Sequence, residues 1–174
     1  MTREYPWYET VNGEDPLSQG DFIDDCPILI PSSDISKKEI DGKIVKYNVV
    51  IMSQSCDLWY KKLDLVLVCP VWPLSDFEKI NPHYKDRRAK EALRQGYTPG
   101  YHLLNECKID GFKRDFFVVD FRNVYGVSFD LLIDLAKKKG KRLRILPPYR
   151  EHLSQAFARF FMRVGLPLDI PEFK

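Results

Sequence analysis

Two apolar runs stand close together near the middle of the chain, Ile44 to Met52 and Leu63 to Val71. The first is rich in valine and isoleucine and the second in valine and leucine, and neither shows the 3.6-residue spacing of an amphipathic helix. A strand that is apolar at nearly every position must be covered on both faces, because an open face would hold a continuous apolar ridge in water. The runs therefore predict neighbouring central strands in a sheet packed from both sides. The second run is expected to close at Pro70-Val-Trp-Pro73, since proline cannot donate to a strand ladder.

The surrounding punctuation is that of short strands. Ile40-Asp-Gly-Lys43 and Asp110-Gly111 signal turns, because glycine reaches positive φ without steric cost. Pro27 marks an edge or bend between Asp21–Ile23 and Ile28–Ile30. Tyr101 to Ile109, Phe116 to Phe121 and Val124 to Val127 read as further strands. From Asp76 to Gln95 the pattern is helical, with the main part starting at Pro82 and Gly96 stopping it. Ser128 reads as a helix N-cap, with Asp130 in the first turn, Lys137, Lys138 and Lys139 in the last, and Gly140 beyond. Leu143 to Ile145 suits a short strand. A last helix begins at about Pro148 and carries Leu153, Ala156, Phe157, Phe160, Phe161 and Val164 as one apolar stripe. Strands with helices inserted late are unlike regular βαβ alternation. They predict an α+β, mainly β fold: a small, partly open antiparallel β-barrel decorated by two to three helices. One domain is expected, with residues 1–19 an irregular lead-in, 20–146 the barrel with its inserted helices, and 147–165 the C-terminal amphipathic helix.

A chain of 174 residues buries roughly two thirds of its unfolded surface, so a core alone can stabilise it. With 44% hydrophobic residues and a formal net charge of +2, it is neither a disordered chain nor a polycation. The charge is nonetheless split along the sequence. Residues 1–36 hold one base and eight acids, while residues 137–163 hold nine bases and one acid. Either the two ends pack against each other, or the basic end faces a polyanion. Cys26, Cys56, Cys69 and Cys107 show no CxxC spacing, so neither a zinc site nor any other metal or cofactor is expected. Met1-Thr-Arg-Glu-Tyr-Pro lacks an apolar segment and no run approaches the ~20 residues of a membrane span. A reduced, cytoplasmic protein away from membranes is expected.

Gly20-Asp21, then Tyr47-Asn-Val-Val-Ile-Met-Ser53, then Leu67-Val-Cys-Pro-Val71, follow one another in an order that resembles the MazF/PemK family of toxin–antitoxin toxins. Val118-Val-Asp-Phe-Arg-Asn-Val124 before a capped helix is similar to that family's later strand and helix. The resemblance spans residues 19–75 and 116–138. It implies an SH3-like barrel, metal-independent endoribonuclease chemistry, single-stranded RNA as substrate and a cognate antitoxin as partner. The family's catalytic arginine falls on Lys46 and its catalytic threonine on Trp72. Lysine gives a point charge in place of a bidentate fork, and indole has no hydroxyl. Catalysis is therefore doubtful, and a non-enzymatic scaffold or regulator of a larger defence or signalling complex is the alternative.

Ser53, Gln54, Ser55, Cys56 and Asp57 end a buried strand, where polar side chains either satisfy turn backbone or line a ligand site. Cys56 becomes a hydrolase nucleophile if a histidine lowers its pKa, with His83, His102 and His152 as the candidates. Lys46, Cys56 and His102 are the candidate catalytic residues. Ser53, Gln54, Ser55, Asp57, Arg122, Arg150 and His152 are the candidate binding residues. Asp120 and Arg122 share a strand face, as an ion pair or as an arginine offered to phosphate. Arg150 and His152 open the last helix, whose first-turn N–H groups favour anions.

Overall fold

The computed structural model describes residues 5–32 and 42–162. Among them are eight strands and five α-helices. The strands are β1 (Tyr8–Asn12), β2 (Phe22–Pro31), β3 (Gly42–Ile51), β4 (Leu65–Pro73), β5 (Tyr101–Leu104), β6 (Phe117–Asp120), β7 (Tyr125–Ser128) and β8 (Lys141–Ile145). The helices are α1 (Ser55–Trp59), α2 (Leu74–Ile80), α3 (Arg87–Arg94), α4 (Phe129–Lys139) and α5 (Tyr149–Phe161).

The two apolar runs are neighbours, as expected: β3 pairs with β4 through Val49–Pro70, Val50–Cys69 and Ile51–Val68. Every strand pairing is antiparallel, in the order β2-β3-β4-β6-β5 with β7 also on β4. The fold is mixed α+β. Its sheet does not close into a barrel: β2 and β5 stand at the two ends of the order and do not pair with each other among the described residues.

Strand β4 runs through Pro70 and ends at Pro73, inside the Pro70-Val-Trp-Pro73 close expected for it. Its first half pairs with β7 and its last three residues with β6. Leu67 directs both its backbone groups toward β3, donating to Ser53 Oγ at 2.8 Å and accepting from Met52 N at 2.8 Å. Alternation then turns the absent N–H of Pro70 to the other edge, where β7 gives way to β6 and no donor is required.

Cover on both faces is found over residues 49–52. Val50 and Met52 pack with Phe22, Val71, Val119, Ile145 and, from α5, Leu153. Val49 and Ile51 pack on the other side with Val66, Val68 and, from α4, Leu132 and Ala136. The outer half of β3 differs from expectation: Ile44 is 69% exposed and lies opposite Leu29, 66% exposed. The β2–β3 arm extends past the helices that cover its base. The turn expected at 40–43 falls largely outside the described residues, as does Val164 of the expected apolar stripe.

Three other expectations are corrected. The lead-in is not irregular throughout, because Tyr8–Asn12 pairs with Lys141–Ile145 as a two-stranded ribbon. The helix expected over 76–95 is three pieces, α2, a 3₁₀ turn at Pro82–Lys85, and α3. Pro82 disfavours helical backbone at Asn81, which sits at φ −124° and ψ 79°. Asp86 then starts α3 by accepting from the N–H groups of Arg88 and Ala89 at 2.8 and 3.2 Å. The strand expected over 101–109 ends at Leu104. Helix α4 lies where its charges placed it, and Gly140 takes φ +80° at its end, although the Ser128 side chain makes no cap bond.

Candidate functional site

The Gly20-Asp21 pair is structural. Gly20 adopts φ +86°, donates to Ile51 O at 2.9 Å and accepts from Ile145 N at 3.0 Å, so it ties β3 to β8. Asp21 is closed to solvent and receives the guanidinium groups of Arg142 and Arg144. Asp24 takes Arg114 and Lys139, and Glu14 takes Lys137. Parts of the acidic start and the basic end thus pack against each other, sealed from solvent at Asp21 and exposed at Glu14.

The polar stretch after β3 divides by role. Ser53 Oγ accepts from Leu67 N at 2.8 Å, and Ser55 Oγ accepts from Gln19 N at 3.1 Å while bonding Ser18 Oγ at 2.7 Å. These two serines hold backbone and buried neighbours together. Asp57 lies in the first turn of α1 and pairs loosely with Lys62 at 3.7 Å. Gln54 and Cys56 open, with Ser55, into a polar cleft shared with Arg150 and Ser154 of α5. Gln54 and Gln19 both direct their amide nitrogens at Ser154 Oγ, at 3.3 and 3.5 Å. The structure therefore brings the 53–57 cluster to Arg150. Arg150 itself donates to Glu151 at 2.6 Å.

Cys56 is the exposed thiol of the four, and none forms a disulfide. Burial pushes Cys26 up to about 11 and Cys69 up to about 12, with the Asp120 charge adding to the latter, so both are inert thiols. The cleft around Cys56 is lined by amides, hydroxyls, an arginine and a glutamate, without a histidine among the described residues.

His102 and His152 meet elsewhere. A groove of about 410 Å³ runs between the end of α3, the edge strand β5 and α5. Tyr101, His102 and Leu103 of β5 line it, and His152, Gln155, Ala156 and Arg159 come from α5. Burial pulls His102 down to about 4, and the nearby His152 and Arg159 charges act in the same sense. It is a neutral imidazole at pH 7, stacked beside Phe121 with centroids 6.1 Å apart. Arg159 and His152 have no ion-pair partner among the described residues. Arg122 does not enter as a free cation. Its guanidinium is bidentate on buried Asp120, at 3.1 and 3.2 Å, and lies 4.4 Å from the Tyr101 ring centroid.

The positions carried over from the toxin family do not converge. Lys46 lines a cavity against α4 and β8. Tyr47, next along β3, turns to the other face, where Trp72 meets it edge-on at 5.9 Å and Tyr125 stacks on it at 6.0 Å. Lys46, Cys56 and His102 thus open onto three separate surfaces.

No protein-family model matches the chain, and no curated protein matches it either. No helix among the described residues is long and apolar enough to cross a membrane.

Arg159 and Gln155 are groove residues that the sequence reading passes over. A signal was present. Residues 152, 155, 156 and 159 follow i, i+3, i+4 and i+7, which is one helix face, lying beside the apolar stripe. Gln19 and Ser154 had no such signal, because their neighbours are distant in sequence.

Proposed function

We propose that the chain is a MazF/PemK-like module of a toxin–antitoxin or mobile-defence system, with an opened SH3-like barrel, that binds single-stranded RNA without cutting it. One observation carries this reading: the groove between α3, β5 and α5 gathers Arg159 and His152, without ion-pair partners among the described residues, beside a neutral His102. An arginine beside imidazole rings suits a phosphate-linked strand with unstacked bases. The order of Gly20-Asp21, β3, β4, β6 and the α4 helix supports the family assignment.

Binding without cleavage follows from the separation of Lys46, Cys56 and His102. Cleavage of RNA needs a base for the 2′-hydroxyl and donors for the phosphate oxygens within hydrogen-bond reach of one phosphate. Fluorescence anisotropy with a labelled single-stranded RNA, titrated with salt, is the test. A log–log slope of about −2 to −3 is expected, from about three or four phosphate contacts, with no cleavage in metal-free buffer. Absence of binding at low salt removes nucleic acid as the target.

The scaffold reading has its own observation, the exposed cross-strand pair Leu29 and Ile44. It takes precedence if RNA does not bind and Leu29→Lys abolishes a complex formed in solution.

A further inference from the structure

A cavity of about 470 Å³ lies between β2, α4 and β8 and shares no lining residue with the groove between α3, β5 and α5. That volume is within the range of small-molecule sites, roughly 300–1,000 Å³. Its floor is apolar, built by Phe22 and Leu143 from the core and by Leu135 of α4. Its rim carries Lys46 of β3, Lys138 of α4 and Lys141 of β8.

The acidic N-terminal segment takes four bases of the C-terminal one. Arg142 and Arg144 go to Asp21, Lys139 to Asp24 and Lys137 to Glu14. Of the described bases of that segment, Lys138 and Lys141 are left over beside β8, and Arg159 in the other groove. Together with Lys46 these two lysines have no ion-pair partner among the described residues, and all three line this cavity. Two carboxylates also line it. Asp24 is already held by Arg114 and Lys139. Asp25 alone opposes the three ammonium groups. An apolar floor ringed by surplus positive charge is not required by the fold, since a void lined by apolar side chains forfeits packing.

We propose that this cavity is a binding site for a small organic anion, with an apolar body on the floor and one acidic head group held by Lys46, Lys138 and Lys141. A carboxylate and a phosphate head share this chemistry. The proposal is independent of the RNA reading.

The test uses the fluorescence of anilinonaphthalene sulfonate on the full chain, against the uncharged N-phenylnaphthylamine. The sulfonate is expected to bind at one saturable site, more tightly than the uncharged analogue, and to weaken with salt. Lys138→Gln with Lys141→Gln is expected to cut its affinity about five- to tenfold, from two partly screened charges, and to leave the uncharged analogue unchanged. Leu135→Trp, which fills the floor, is expected to abolish both. Decanoate displacing the probe assigns a carboxylate head; adenosine monophosphate displacing it assigns a phosphate head. Equal affinity for the two probes, or no response to the double lysine variant, overturns the proposal even if Leu135→Trp fails to fold.

Discussion

Asp21 Oδ2 accepts from Arg142 Nε at 2.7 Å across 121 residues of chain, and both side chains are sealed from solvent. The remaining guanidinium donors of Arg142 reach the backbone oxygens of Asn12, Gly13, Asp15 and Pro16. Asp21 in turn accepts from Arg144 and from the Ser18 N–H. A buried pair repays its desolvation only when the leftover donors and acceptors are also satisfied, and here they are. The N-terminal segment, the sheet and the β8 strand are joined at this point.

Asp21→Asn is therefore expected to cost about 3–5 kcal/mol, the range for leaving a buried charge uncompensated. Urea unfolding measures it. Glu14→Gln, which removes an exposed partner of Lys137, serves as the control and is expected to stay within about 1 kcal/mol. Equal small effects from both would show that the network contributes little.

The last helix is anchored unevenly. Leu153 is fully buried, Phe157 and Phe160 pack partly against Phe121, and Phe161 is 59% exposed. Leu153→Ala is expected to cost about 2–5 kcal/mol. Phe157→Ala should fall below the ~3–5 kcal/mol of a fully buried aromatic, and Phe161→Ala should be close to neutral. Thermal melts of the three variants rank them; a large loss at Phe161 would mean its ring is covered.

His102 gives the protein an acid-sensitive element. Its folded value of about 4 lies below the ordinary 6.5, so between those limits the unfolded chain binds more protons. Stability then rises with pH: the contribution is complete above about 6.5 and is lost as pH falls toward 4. The groups facing it, His152 and Arg159, oppose its protonation further. His102→Gln is expected to flatten the stability-against-pH curve over that window. A curve of unchanged slope would place the His102 ring in solvent.

The sequence exposed local rules and hid distant ones. Helix α4 was legible because its dipole-matched charges and Gly140 lie within one short segment. The β3–β4 pairing was legible because two apolar runs demanded double cover. Strand β1 was not, since its partner β8 lies far along the chain and five residues of Tyr-Glu-Thr-Val-Asn carry no apolar alternation. The site divided in the same way. Ser53 and Ser55 read equally well as ligands or as turn fasteners, and only the positions of Leu67 and Gln19 decide for the fasteners. That Gln54 would meet Ser154, 100 residues later, had no local signature.

The toxin-family residues can be put back. If substitution alone removed ribonuclease activity, Lys46→Arg with Trp72→Thr would restore the arginine and the hydroxyl. The geometry predicts failure. Lys46 points into the cavity against α4 and β8, whereas Trp72 packs on Tyr47, whose side chain leaves the opposite face of β3. An arginine and a threonine on opposite faces of a sheet cannot grip one phosphate, whatever their chemistry. The double variant is therefore expected to show no metal-free cleavage of single-stranded RNA. Trp72→Thr alone should lower the melting temperature, because it removes the edge-on contact with Tyr47 and half-buried apolar area. Lys46→Arg alone should melt like wild type, since Lys46 is exposed and unpaired among the described residues, and it provides a folded control for the assay. Cleavage appearing in either folded variant would mean that positions 46 and 72 converge in solution and that the protein is a latent ribonuclease.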